Sequence, residues 1–206
     1  MTKKGLIIAA LPILTIILCS LLIEPVLSLK YYNATINITL KPVYYLHRTD
    51  LSGVTPAGKL IDTVKPPSSQ SETTYRISRG QSIYFYTPLL SAGSIETGTW
   101  ILRIWASTAT RGRTSRLTVQ INLVSSDGST VKATIGSTTN IVINYGYSER
   151  NITISGNAVT IAAGDRIRLR LLAQPGLTLD PRGIPFYYDG YGSYETIGHE
   201  TRLCLP

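Results

Sequence analysis

The feature that most constrains this chain is a period of two in its apolar residues. Successive side chains of an extended strand point to opposite faces, so an apolar–polar alternation calls for strands with one buried face. Over residues 99–106, Trp100, Leu102, Ile104 and Ala106 fall on one side, and Ile101, Arg103 and Trp105 on the other. Leu117, Val119, Ile121 and Leu123 repeat the pattern. So do Ile167, Leu169, Leu171 and Ala173, with Arg166, Arg168 and Arg170 opposite them as an outward ladder on a solvated edge or face. Residues 33–40 alternate as well, with Ala34, Ile36, Ile38 and Leu40 set against Asn33, Thr35, Asn37 and Thr39.

Turn residues separate these runs. Ser126-Asp127-Gly128 reads as a hairpin into residues 131–135, and Ala163-Gly164-Asp165 turns into the arginine strand. Further strands are expected over residues 43–47, 73–78, 82–86, 140–145, 151–155, 159–162, 185–189 and 201–205. Residues 48–70, rich in Gly, Pro, Ser and Thr, form the longest expected loop. No segment after the leader has a helical period. Hydrophobic residues make up 43% and charged residues 16%, which excludes a disordered chain. Thirteen tyrosines and many β-branched residues suit pleated surfaces. The expectation is an all-β protein with a single jelly-roll-like antiparallel β-sandwich over residues 43–206.

The first 28 residues read as a signal peptide or membrane anchor. Lys3 and Lys4 precede an uncharged apolar run, residues 5–23, ended by Glu24 and Pro25, and Val26-Leu27-Ser28 offers a cleavage site after Ser28. The run is also long enough to span a bilayer if uncleaved, which is the one membrane contact expected. Lys3-Lys4-Gly5 resembles an archaeal prepilin leader, although Pro25 would break the helix such a leader supplies. Cys19 lies within the leader, leaving Cys204 without an internal partner, as a small buried side chain of the last strand.

Three stretches resemble a β-sandwich domain that recurs in exported prokaryotic, especially archaeal, surface proteins. They are YYLHRTDLSGVTPAGKLIDTVKP (residues 44–66), GTWILRIWAS (98–107) and AGDRIRLRLLA (163–173), the last followed by FYYDG (186–190). The resemblance implies this fold and export, and no catalytic residue.

The residues themselves offer no catalytic constellation. His47 and His199 have no metal-ligand spacing, and no nucleophile elbow, phosphate loop or H-E-x-x-H occurs. Asp189 and Glu195 flank DGYGSYE, which reads as a surface turn rather than a calcium loop. No cofactor is expected. The net charge of +8 is scattered rather than clustered, so no nucleic-acid partner is expected.

What remains is surface. Asn33, Asn37 and Asn151 each begin an N-x-T sequon on the outward side of an expected strand, where a glycan fits. Tyr187, Tyr188, Tyr191, Tyr194 and the outward Trp105 are candidates for stacking on sugar or for a subunit contact. Residues 29–42 form an N-terminal strand that either pairs within its own sheet or is donated to a neighbouring copy, with Ile36, Ile38 and Leu40 inserted. These features together suggest a non-catalytic secreted or cell-surface protein with a structural or adhesive role, possible as a filament subunit built by strand donation. Its expected partners are further copies or a cell-surface glycan. The alternative is a carbohydrate-binding module recognising surface polysaccharide.

Overall fold

A computed structural model describes residues 28–31, 34–37, 42–66, 73–176, 179–188 and 201–206; at residues 28–37, 73, 187 and 188 it describes the backbone alone. The leader, Asn33, Ile38, Leu40, Asp189, Tyr191, Tyr194, Glu195 and His199 lie outside the described residues. The chain divides into two compact units, residues 1–41 and 42–206.

In the first unit, β1 (Ser28–Tyr31) and β2 (Ala34–Asn37) pair antiparallel, with Leu29 opposite Ile36, and form a sheet of their own. Of the single strand expected over residues 33–40, residues 34–37 are thus one arm of this antiparallel pair.

The second unit is all-β, with no helix among the described residues. Its strands are β3 (Val43–Leu51), β4 (Gly58–Asp62), β5 (Thr73–Ile77), β6 (Ser82–Tyr86), β7 (Gly93–Ile95), β8 (Gly98–Ala106), β9 (Ser115–Val124), β10 (Val131–Ile143), β11 (Ser148–Gly156), β12 (Val159–Ile161), β13 (Arg166–Ala173), β14 (Ile184–Tyr188) and β15 (Arg202–Cys204). An 11-stranded sheet runs β11-β10-β9-β13-β6-β4-β3-β15-β8-β14-β5 and closes on itself because β11 also pairs with β8. β7 and β12 make a small separate pair.

The sheet closes unevenly. β11 pairs with β8 through nine successive residues, Ser148–Ala106 to Gly156–Gly98, whereas β10 meets β11 only at Gly136–Gly156. On the far side, β4 and β6 pair at Lys59–Phe85 and Leu60–Tyr86, and they do so in parallel. The result is one closed, barrel- or sandwich-like sheet that is narrow at these two seams.

The core lies inside the closed sheet and follows the alternation. Trp100, Leu102, Ile104 and Ala106 are buried, as are Leu117, Val119, Ile121, Leu123, Ile167, Leu169, Leu171 and Ala173. Each large apolar side chain so buried contributes about 1.5–3 kcal/mol. Leu46, Phe85, Phe186 and Leu203 complete the same cluster.

Several expectations need correction. Residues 48–70 are not one long loop: β3 continues to Leu51, a turn through the cis Thr55–Pro56 bond follows, and β4 pairs back at Leu51–Gly58 and Tyr45–Asp62. β10 spans what reads as two strands, because three register shifts against β9 break its alternation, and Asn140 takes a left-handed φ of 59° at one of them. Cys204 is half-buried rather than enclosed.

The arginines of β13 are neither at an edge nor solvated. β13 is an interior strand between β9 and β6, and Arg168 is 8% exposed. Arg166 donates from Nη1 to the Thr87 carbonyl (2.6 Å) and from Nε to that of Ser126 (2.7 Å). Arg168 donates to the Gly128 carbonyl (3.2 Å), and Arg170 to Ser82 Oγ (3.0 Å). The guanidinium groups of Arg168 and Arg170 lie 5.5 and 6.0 Å from the Tyr84 ring centroid. These stems cover the back of the layer and tie its loops down.

Candidate functional site: the outer face of the tryptophan strand and its tyrosine cleft

The outward residues of β8 organise one face. β11 places Thr153, Asn151 and Glu149 opposite Ile101, Arg103 and Trp105. Along its other edge, β15 places Cys204 and Arg202 opposite Ile101 and Arg103, and β14 then places Tyr187 opposite Trp105. Directly opposed residues of antiparallel strands share a face, so the side chains contributed by β8, β11 and β15 form rows across the strands.

Glu149 ties the row together. Arg103 Nη2 donates to its Oε2 at 2.6 Å, and Asn151 Nδ2 donates to its Oε1 at 3.1 Å. Trp105 is half-buried beside this pair, unlike Trp100, which is fully enclosed. Asn151 is exposed, while Ile152 and Ile154 behind it are 5% and 0% exposed, so this sequon has the outward geometry a glycan needs. For Asn37 the backbone in β2 is described, and for Tyr187 and Tyr188 the backbone in β14.

A cleft of about 260 Å³ opens where this face meets the loops at one end of the sheet. Tyr145 and Tyr147 line it and are 56% and 41% exposed. Gly146 between them takes φ +90°, a left-handed turn that lets two bulky neighbours project from a short connection between β10 and β11. The strand-like backbone leading into the turn is held by a parallel bridge from Thr108 to Tyr145 and by the Thr108 N–H on the Asn144 carbonyl (3.0 Å). Across the cleft, Arg76 of β5 stands opposite Pro185 of β14, and both line it.

Asp180 holds the segment that follows the cleft residues Ser107, Thr108 and Ala109. This carboxylate is 1% exposed; it accepts from the Thr110 N–H (2.6 Å), Thr110 Oγ1 (3.0 Å) and the Arg182 N–H (2.9 Å). Burial pushes its pKa up, but these hydrogen bonds together outweigh burial and hold it below the ordinary carboxylate value. The loop carrying Thr108, Ala109 and Thr110 is thereby fixed to the segment that leads into β14.

The structure thus places Trp105 and Asn151 on one face and sets the backbone of Tyr187 beside them. It adds Tyr145 and Tyr147, which the sequence reading missed by treating residues 140–145 as a strand. The signal was present as Asn-Tyr-Gly-Tyr-Ser, two aromatics around a glycine between two alternating runs. His47 lies elsewhere, on the β3–β4 hairpin, with Nε2 3.0 Å from Asp62 Oδ1, and Asp62 also caps the Val64 N–H (2.7 Å). A second cleft, about 430 Å³, sits by the seam near Lys59 and Tyr75, with Lys59 Nζ 2.7 Å from Asp50 Oδ1. Among the described residues no three His, Cys, Asp or Glu side chains gather as metal ligands, and no helix is long and apolar enough to cross a membrane.

No protein-family profile matches the chain, and no curated protein matches its sequence. Solved structures do match its fold. A CocE/NonD family hydrolase from Staphylococcus aureus superposes with a TM-score of 0.56 at 11% identity, over 88% of this chain and 40% of the hydrolase chain. An α-amino acid ester hydrolase gives 0.54 at 11% identity, over 82% of this chain and 36% of its own. An aminopeptidase from a marine sediment archaeon, Thaumarchaeota archaeon, gives 0.52 at 12% identity, over 88% of this chain and 40% of its own. The chain spans about two-fifths of the length of these larger proteins. At such identities the likeness is one of fold alone.

Proposed function

We propose that this is a non-catalytic protein of the cell exterior, adhesive in role, and that its tyrosine cleft binds carbohydrate. The observation that carries the reading is the pair Tyr145 and Tyr147, exposed on either side of a left-handed glycine and lining an open cleft with Arg76. Large aromatics held at an exposed concave site offer flat apolar faces with polar rims, which is what a sugar ring stacks on. The neighbouring Trp105, Arg103 and Glu149 extend the same face with hydrogen-bonding groups. Asn151 is the sequon best disposed to carry a glycan, and with the leader it supports export to the surface. The jelly-roll-like sandwich belongs to this reading as well: the two seams are so narrow that the closed sheet behaves as two packed layers.

A panel of soluble polysaccharides titrated into the processed protein by calorimetry tests the proposal. Binding is expected, and Tyr145→Ala and Tyr147→Ala are each expected to weaken it about tenfold or more, the scale of an aromatic hot spot. A folded protein that binds none of the panel overturns the sugar-binding reading, and cleavage of any polysaccharide overturns the non-catalytic one.

A second reading, self-association by strand donation, is favoured by its own observation: β1 and β2 pair with each other and form a sheet apart from the 11-stranded one. Ile36, Ile38 and Leu40 would then supply the alternate side chains inserted into a neighbouring copy.

A further inference from the structure

We infer that the cleft selects an acidic glycan, one bearing carboxylate or sulfate groups along its chain; this deepens the sugar-binding reading above and rests on it. Among the described residues lining the cleft, Arg76 is the charged one, and the rest are Tyr145, Tyr147, Ser107, Thr108 and small or apolar residues. Arg76 is exposed and forms no ion pair among the described residues. A guanidinium presents a planar fork of donors that meets a carboxylate or sulfate with two parallel hydrogen bonds. It has no acceptor to offer, so it cannot take the hydroxyl protons that a neutral sugar donates.

The loops around the cleft repeat the sign. Arg111 and Arg113 are exposed on the loop that follows Thr108 and Ala109, and Arg182 is exposed on the segment joined to that loop through Asp180. Asp180 does not offset them at the surface, because it is enclosed and its oxygens are taken up by Thr110 and Arg182 N–H groups. Glu149, the carboxylate on the adjoining rows, is bound to Arg103 at 2.6 Å. Positive charge in the cleft and on the segments that adjoin it thus accompanies two exposed aromatic rings, so the ligand with complementary chemistry has stacking ring faces and regularly spaced negative charge.

The test compares polygalacturonate with its fully methyl-esterified form, which keeps the sugar rings and loses the charge. Calorimetry on the processed protein is expected to show polygalacturonate binding about tenfold more tightly at low salt, the worth of one charge-assisted pair. That margin should shrink as salt rises. Arg76→Gln should abolish the margin, bringing polygalacturonate down to the affinity of the ester. Arg116→Gln, which removes the same charge from an exposed position of β9, should leave the margin in place. Equal affinity for the two polymers, or a margin untouched by Arg76→Gln, overturns acid selectivity while the sugar-binding reading stands. Binding of neither polymer overturns the inference and leaves the sugar-binding reading to be decided by the polysaccharide panel. Inorganic polyphosphate binding as tightly as polygalacturonate, with Tyr145→Ala without effect on either, reduces the cleft to unspecific attraction of anions and also overturns the inference.

Discussion

At the scale of single residues, close approach matters as much as burial. Gly156 ends β11 directly over the enclosed Trp100: a Cβ placed there would lie 2.4 Å from the indole Nε1 and 2.5 Å from Cδ1. It is also the residue through which β10 meets β11 at the seam. The indole therefore needs a hydrogen at this position. Gly156→Ala is expected to destabilise the fold by about 1–3 kcal/mol, the usual cost of overfilling a packed core. In the Trp100→Phe background, where the smaller ring leaves room, the same substitution should cost clearly less. Urea unfolding of the four proteins measures this coupling, and additive effects would show that the indole is not what Gly156 accommodates. Gly183 is constrained in another way, with φ +84° and a hypothetical Cβ 2.0 Å from the Ile77 carbonyl oxygen, so it fixes the entry into β14.

At the scale of elements, the β9–β10 hairpin is the clearest case of a local sequence building its own turn. Asp127 accepts from Ser125 Oγ (2.6 Å), from Ser129 Oγ (2.8 Å) and from the Ser129 N–H (3.1 Å), while Ser125 Oγ in turn takes the Thr130 N–H (3.0 Å). Led by the Ser125 hydrogen bond, these contacts lower the Asp127 pKa from 3.8 to about 2. A carboxyl group whose folded pKa is depressed stabilises the folded state above its unfolded pKa and loses that contribution as pH falls through the folded one. The hairpin's contribution is thus complete above pH 3.8 and disappears as pH falls toward about 2. A carbon-detected NMR titration should find the Asp127 carboxyl titrating near 2 in the native protein and nearer 3.8 in Ser125→Ala. An unchanged midpoint in that variant would remove the serine as the cause. The same element shows how far a strand can be read: residues 131–135 were legible, whereas the bulges that carry β10 on through Asn140 to Ile143 interrupt the alternation. β4 escaped for a related reason. Gly58, Lys59, Leu60, Ile61 and Asp62 show no clear alternation, and β4 pairs with β3 only because the Thr55–Pro56 turn folds it back.

At the scale of the molecule, closure depends on pieces far apart in sequence. β15, near the end of the chain, fills the place between β3, the first strand of this unit, and β8, and carries the buried Leu203 into the core. Without it β3 and β8 lose their shared neighbour and the sheet cannot close. Deleting residues 201–206 is expected to abolish cooperative unfolding by circular dichroism. Deleting residues 29–40 from the processed chain should leave the unfolding transition of the remainder intact, because β1 and β2 form a sheet of their own and residues 42–206 make a compact unit. If native material is polymeric, electron microscopy of that second variant should show the polymers gone while the fold persists. Unfolding of the monomer in the second deletion would instead make the hairpin part of the core and sink the donation reading.

The inward face of nearly every long strand was determined by sequence alone, because alternation is a property of neighbouring residues: Trp100, Ile121 and Leu169 are core by phase, and Asn151 is outward by the same rule. The hairpin at Ser126-Asp127-Gly128 and the turn at Gly164 were legible for the same local reason. What only the tertiary structure decided is everything that depends on which strands meet. It set β13 inside the sheet, so that its arginines became packed stems and tethers instead of a solvated ladder. It closed the sheet, with narrow pairings at Gly136–Gly156 and between β4 and β6. It also brought Arg76, Tyr145, Tyr147 and Pro185 from three separate stretches to one cleft. A period of two says which way a side chain points, but pairing partners are chosen by the burial of the whole sheet, and no local pattern encodes that choice.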